Sequence, residues 1–390
     1  MAASLAWTML LHTIHKLKGF SLLVKNKGHS LLQPKKMSFE QANAYRRVKP
    51  ITISYSDLMD KERDLSDRIE EALGPEGLGI ILISDVPEFS LLRKNLLHLS
   101  PVVASLHDDV RVSIEDPSSR FGIGWSHGNE RLESNKVDVY KGSFAANPIL
   151  DVPTTDVSLM QRYPSFCCPN KWPSSALPEL EVAFKALGKM ILDVGLKLAY
   201  HCDKYVSKTM LIDEDEGIEK IIKRSRCHKA RLLYYFPKQK SECMEDSKSI
   251  SSWAGWHTDF SCLTGLTSGM FTRNSEVVAC PDSAGLYIKA RNSEIVKVVF
   301  GEDELAYQIG DTLEIISGRR LCATPHCVRA PSLEEAAGVA RASFAMFMQP
   351  DWDEDLKLGD MSNPDIKMTL PNENVTFGEY SEAIICKSIT

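Results

Sequence analysis

After Cys227 the chain breaks into eight short runs rich in β-branched and aromatic residues, and this pattern limits the fold more than any other feature. The runs are Arg231–Phe236, Trp256–Asp259, Leu263–Phe271, Gly285–Ala290, Glu294–Phe300, Thr312–Ile316, Leu321–Val328 and Val339–Met348. Turn signals such as Ser317-Gly318 separate them. Short strands of this kind close on one another, so the pattern predicts a sandwich or jelly roll.

The region before Cys227 predicts flanking helices and a few added strands. Ile51–Tyr55 alternates, Leu65–Leu73 has helical spacing, and Gly79–Ser84 is a short apolar run, which reads as strand, helix, strand. Residues 88–108 read as helix. Phe121–Asp156 is rich in Gly, Asn and Ser and has no period, which predicts a long loop with short strands, where binding residues concentrate. From Pro178 onward, Phe184, Leu187, Ile191, Val194 and Leu198 recur at spacings of 3 and 4, the face of a core-supporting helix.

Composition narrows the class. With 43% apolar and 25% charged residues the chain is ordinary for a globular protein, and a net charge of -6 with no basic stripe argues against a nucleic-acid coat. The ten cysteines include the neighbours Cys167 and Cys168 but no CxxC pair, which suits reduced, buried thiols. No apolar run is long enough to span a bilayer. The first 39 residues hold no Asp or Glu but six lysines and no Arg. A cytoplasmic location is therefore expected, with organelle import as the alternative if residues 1–36 act as a transit peptide, and Met37 as a second candidate start. We expect a monomer that acts on a small-molecule substrate, with no nucleic-acid or membrane partner.

His257-Thr258-Asp259, then His326, then Arg341-Ala342-Ser343 form the chemically informative set. Two imidazoles and one carboxylate can bind one face of a metal and leave the opposite positions open, as in non-haem Fe(II) oxygenases. HxD alone is weak evidence, since it occurs three times: His107-Asp109, His201-Asp203 and His257-Asp259. Residues i and i+2 share a side on a strand but diverge on a helix, by about 200°. The first two pairs close helical stretches; the third lies in strand context. Arg273-Asn-Ser and Arg291-Asn-Ser read as polar turns, whereas Arg341 enters a strand that is apolar on both faces and should be covered on both sides. A guanidinium there must be paired, either by an internal carboxylate or by a ligand carboxylate with the Ser343 hydroxyl beside it.

The stretch from about 228 to 350 resembles the plant-type 2-oxoglutarate/Fe(II)-dependent dioxygenases of the isopenicillin N synthase-like superfamily. The text that carries the resemblance is "GWHTDFSCLTGL", "GLYIKA", "YQIGDTLEIISG", "ATPHCV" and "RASFAMFMQP", with "ITISYSDL…GLGIILISDVPEF" similar to their N-terminal region. The resemblance implies a mainly β fold with flanking helices around a double-stranded β-helix (jelly-roll) core. It also implies Fe(II), 2-oxoglutarate as cosubstrate and O2, with His257, Asp259 and His326 as catalytic iron ligands. Arg341 and Ser343, with Tyr235, would hold 2-oxoglutarate. The implied reaction is hydroxylation or desaturation of a small organic metabolite. The expected division is an extension at 1–49, a helical region with edge strands at 50–227, the dioxygenase core at 228–350, and a lid or cap at 351–390.

Two departures stand out. The family has an Asn-Tyr-Tyr-Pro run where this chain has Tyr234-Tyr235-Phe236-Pro237, so aligning on the proline puts Phe236 in place of a tyrosine that contacts the cosubstrate. Phe donates no hydrogen bond, which motivates an alternative: an iron oxidase of the same fold that does not use 2-oxoglutarate. A non-catalytic binding protein is the remaining alternative. The interval from His326 to Arg341 is also long, with Ser332–Gly338 as a loop insertion. The Phe121–Phe144 loop and the segment after Trp352 are expected to line the substrate pocket, with Trp125, Tyr140 and Phe144 as aromatic candidates.

Overall fold

A computed structural model describes residues 45–130, 137–211, 215–238, 252–357 and 374–389. The leader reading at residues 1–36 lies outside them. The strands form two sheets that face each other. The smaller runs β1 (Arg47–Val48), β12 (Ile295–Val298), β11 (Gly285–Lys289), β14 (His326–Arg329) and β7 (Ser252–His257). The larger runs β2 (Thr52–Ser54), β3 (Ile80–Ser84), β13 (Leu305–Ile309), β8 (Leu263–Leu266), β15 (Val339–Met348), β6 (Lys229–Tyr235), β5 (Lys141–Ala146) and β4 (Gly124–His127). Strand β9 (Met270–Arg273) pairs with β15 and with β10 (Glu276–Val278). Strands that precede Cys227 thus extend both sheets.

The period-2 alternation of β15 sorts its side chains into two environments. Ala342, Phe344, Met346 and Met348 pack into the main core beneath the long helix Pro178–Ser207, where Phe344 meets Phe184 edge to face at 5.0 Å. The helix buries Leu180, Phe184, Leu187, Ile191, Val194 and Leu198 on the face its 3–4 spacing predicts. Fully burying a side chain such as Phe344 stabilises by about 1.5–3 kcal/mol. Arg341, Ser343, Ala345 and Phe347 face the other way, into the space between the sheets, a cavity of about 1660 Å³. Ile80, Leu82, Ile288, Val296 and Ala306 form one further apolar cluster and Tyr235, Trp253, Phe271 and Val339 another, and Tyr235, Trp253 and Phe271 line the cavity. Beyond the sheets, β16 (Asp355–Lys357) pairs with β17 (Asn374–Thr376), and the helix Phe377–Ile389 follows. That helix seats Phe377 and Tyr380 against Tyr163, Phe166 and Trp352, and Ile384 and Ile385 line the cavity.

Several strand expectations change. Thr312–Ile316 is not a strand but part of the helix Asp311–Ile316. An apolar run of five residues carries too little period to separate the two forms, and Asp311 and Glu314 in the first turn suit a helix N-terminus. The strand Leu305–Ile309 just before it was not anticipated. Leu263–Phe271 divides into β8 and β9, Leu321–Val328 becomes strand only from His326, and the run expected at Trp256–Asp259 starts at Ser252 and ends at His257. Inside Phe121–Asp156 lie two paired strands, β4 and β5. Ser332–Gly338 holds the short helix Leu333–Ala336, and the Glu335 carboxylate accepts from the Ser283 and Ser332 hydroxyls. No helix among the described residues is long and apolar enough to cross a membrane.

Candidate active site

Strands β7 and β14 are antiparallel neighbours, and their register sets His326 directly opposite His257. The two rings lie 4.3 Å apart between centroids. Asp259 sits two residues past the end of β7, so the chain turns to bring its carboxylate back between the rings. It stands 3.7 Å from His257 Nε2 and 3.9 Å from His326 Nε2. Two ligand atoms bonded at roughly 2.1 Å to one ion lie about 3–4 Å apart, so the spacing fits a shared metal. Among the described residues this is the group of three or more metal-ligating side chains that converges, with its ligand atoms all within 4.8 Å.

The surroundings set the chemistry of each of the three side chains. The Nδ1 atoms of His257 and His326 lie 2.8 Å and 3.2 Å from the carbonyls of Gly255 and Thr324. An Nδ1–H that donates to a carbonyl leaves Nε2 with its lone pair free, the tautomer a metal needs. Burial holds His326 below the ordinary imidazole range, which favours the neutral form, while Asp259 opposes that shift. The Thr264 hydroxyl donates to Asp259 Oδ2 at 2.6 Å, and the Asp311 backbone N–H donates to the Asp259 carbonyl at 2.7 Å. Asp311 was not singled out from the sequence. Its half-buried carboxyl, pushed up to about 7 by desolvation, accepts from Thr258 at 3.0 Å and faces the Tyr380 hydroxyl at 3.4 Å, tying the Thr258–Asp259 segment to the C-terminal helix. The only sequence signal was its place in "IGDTLEI", just after an apolar strand.

Arg341 is buried on β15, and its Nη1 donates to Ser343 Oγ at 3.0 Å. Its guanidinium lies 5.2 Å from the Tyr235 ring and 5.7 Å from the Trp253 ring, and Nε has no hydrogen-bond partner. No ion pair to Arg341 is found among the described residues, so the internal salt bridge weighed above is absent there. Burial pulls its pKa down, as expected for a cation without a carboxylate partner. At Gly269 a Cβ would come within 2.6 Å of Arg341 Nε, so a glycine makes room for the guanidinium.

Strand parity corrects the expectation for Phe236. On β6, Lys229, Arg231, Leu233 and Tyr235 line the cavity, whereas Phe236 packs into the main core against His127 at 4.8 Å and Tyr234 at 5.0 Å. Tyr235 is the residue opposite Arg341 in the β6–β15 pairing. The residue opposite Arg341 is thus a tyrosine, and Phe236 lies off the cavity. Trp125 and Phe144, offered as pocket aromatics, are instead buried in the main core; Tyr140 does line the cavity. The rival HxD pairs go elsewhere. His201 bonds the Leu58 carbonyl at 3.1 Å, and Asp203 accepts from the backbone N–H of Ile218 and Glu219, capping another helix. His107 and Asp109 pair with each other at the exposed start of a short helix.

No protein-family model matches the sequence, and no curated protein is significantly similar to it. Solved structures, however, superpose over most of its length. A full-length Neurospora crassa protein, crystallised in complex with alpha-KG, matches with a TM-score of 0.62 at 16% identity over 86% of this chain and 95% of that one. The chain has the fold of the 2-oxoglutarate/Fe(II) oxygenases. A 2OG-Fe(II) oxygenase family protein from Caulobacter crescentus gives a TM-score of 0.62 at 19% identity, covering 87% of this chain and all (100%) of that one. JOX2, crystallised with 2OG, Fe and JA, gives 0.59 at 14% identity over 88% and 87%. The jelly-roll expectation therefore holds for the fold.

Proposed function

We propose that this protein is an Fe(II)- and 2-oxoglutarate-dependent oxygenase that oxidises a small organic molecule. His257, Asp259 and His326 would hold the iron, and Arg341, with Ser343 and Tyr235, would hold the far carboxylate of 2-oxoglutarate. Bound together, the two would supply the oxidising power for hydroxylation or desaturation with O2. The observation that carries this reading is Arg341: a buried guanidinium facing the same cavity as the triad, with no carboxylate of the described chain against it. A bidentate ligand carboxylate satisfies both the charge and the idle Nε.

The residues divide the work by position. Gly255 and Thr324 fix the imidazole tautomers, and Thr264 fixes the carboxylate. The stacked Tyr235–Trp253 pair, 4.8 Å apart, walls the guanidinium end and keeps water from it. With Phe236 outside the cavity, the main motive for a 2-oxoglutarate-independent oxidase falls away. The fold neighbours crystallised with alpha-KG or 2OG support the same reading.

The test is an anaerobic titration of the Fe(II)-loaded chain with 2-oxoglutarate. A weak visible charge-transfer band is expected, followed on admission of oxygen by O2 uptake and succinate formation. A folded, iron-loaded chain that shows no band and makes no succinate overturns the proposal.

A further inference from the structure

The cavity has a second basic end. On β6 the cavity-facing residues run from Tyr235, opposite Arg341, to Lys229, opposite Phe347. Six residues of strand separate them, roughly 20 Å at about 3.3 Å per residue, far more than one 2-oxoglutarate spans. Phe347 in turn pairs with Thr264, the residue whose hydroxyl holds Asp259. Lys229, Phe347 and Thr264 thus form one row across the sheet, level with the triad and about 10 Å wide at the usual strand spacing.

Lys229 is buried, 9% exposed, and its ammonium donates to the Ser165 carbonyl and lies 5.0 Å from the Phe166 ring. An ammonium has three donors, and among the described residues that carbonyl is the acceptor found for it. Glu130 pairs with Lys141 and Arg231, and Glu382 pairs with Arg120 through one carboxylate oxygen while its Oε1 has no hydrogen-bond partner. At Gly122 a Cβ would stand 2.9 Å from Lys229 Nζ, so the chain leaves space for the charged group. Burial first, and then Arg231, lower the Lys229 pKa to about 7, while Glu382 raises it only in part. A buried ammonium this poorly compensated is costly unless an anion joins it. Phe166 lies beside it, Phe260, Phe347 and Ile385 line the same cavity, and the next cavity-facing residue on β6, Arg231, is paired with Glu130.

We propose that Lys229 anchors the substrate through a carboxylate, so that the substrate is an organic acid with an apolar body lying between Lys229 and the triad. This rests on reading the site as an oxygenase, since Arg341 must be taken by the cosubstrate. The single ammonium suits a monoanionic carboxylate, and the apolar wall suits a hydrocarbon or aromatic body.

The experiment titrates the full chain, loaded with Fe(II) and saturated with 2-oxoglutarate without oxygen, with phenylacetate, 3-phenylpropionate and 4-phenylbutyrate and with their three neutral amides. Calorimetry should show at least one acid binding about tenfold or more tighter than its amide. Lys229→Met should erase that preference while 2-oxoglutarate still binds, and Lys229→Arg should keep it. The proposal is overturned if no acid exceeds its amide in the wild type, or if the preference survives in Lys229→Met. Repeating the titration in Arg341→Ala separates the two readings. An acid preference there, with no charge-transfer band or succinate from the wild type, sinks the oxygenase reading alone; loss of the preference with an intact band sinks the Lys229 anchor alone.

Discussion

His326 lies directly across the β7–β14 pair from His257, and their rings sit 4.3 Å apart with Asp259 beside both. The register of one antiparallel pair thus aligns two imidazoles, the proposed iron ligands, that are 69 positions apart in sequence (326 − 257). The third arrives through a two-residue turn. Removing it should be decisive: Asp259→Ala is expected to weaken Fe(II) binding by more than about 100-fold, measured by equilibrium dialysis, since losing a ligand exceeds the usual cost of losing an outer-sphere partner. An unchanged dissociation constant would show that the metal, if any, binds elsewhere.

Thr264 holds the Asp259 carboxylate at 2.6 Å without being a ligand itself. Thr264→Val keeps the shape and deletes the donor. Fe(II) affinity should fall about 10- to 100-fold, the range for such supporting hydrogen bonds, with little change in secondary structure by circular dichroism.

Arg341 should respond with opposite signs in two measurements. Arg341→Met is expected to weaken 2-oxoglutarate by about 30-fold or more, in keeping with about 2–5 kcal/mol for truncating one partner of a buried charge pair. Without 2-oxoglutarate, the same variant should melt at a higher temperature than the wild type, because it no longer buries an unpaired guanidinium. A lower melting temperature would point to an internal role for the arginine.

Tyr235 ends β6 and lines the cavity, whereas Phe236, the next residue, packs against the main core. Tyr235→Phe should weaken 2-oxoglutarate about fivefold, the worth of one ordinary hydrogen bond near 1 kcal/mol. Phe236→Tyr should bring no gain in affinity and some loss of stability, since it adds a hydroxyl to the core. A tighter cosubstrate complex in Phe236→Tyr would show that position 236 reaches the cosubstrate.

Lys229 gives a pH signature. Its pKa is near 7 in the folded chain against an ordinary 10.5, so between these values the unfolded chain binds more protons and stability rises with pH. Below pH 7 the full cost of the buried charge is present. Lys229→Met should therefore be more stable than the wild type below pH 7 by denaturant melting, and the gap should narrow as pH rises toward 10.5. A gap independent of pH would mean that the ammonium is better compensated than its surroundings suggest.

Periodicity and residue chemistry are local properties, and they were enough to reveal the strand-rich second half and the long helix beneath it, and to single out His257, Asp259, His326 and Arg341 as candidates, the first three of which the fold brings together. The three HxD pairs could be ranked for the same reason: helix and strand point side chains differently, and His201 and Asp203 do indeed go separate ways. Which side of each strand meets the cavity emerged only from the packed sheets. A shift of one residue exchanges Phe236 for Tyr235, and no alignment on a proline can see it. The same holds for Thr312–Ile316, too short a run to declare its period, and for Asp311, Thr264 and Lys229. Their roles come from neighbours across strands or helices, and such pairings exist only once the sheets have closed.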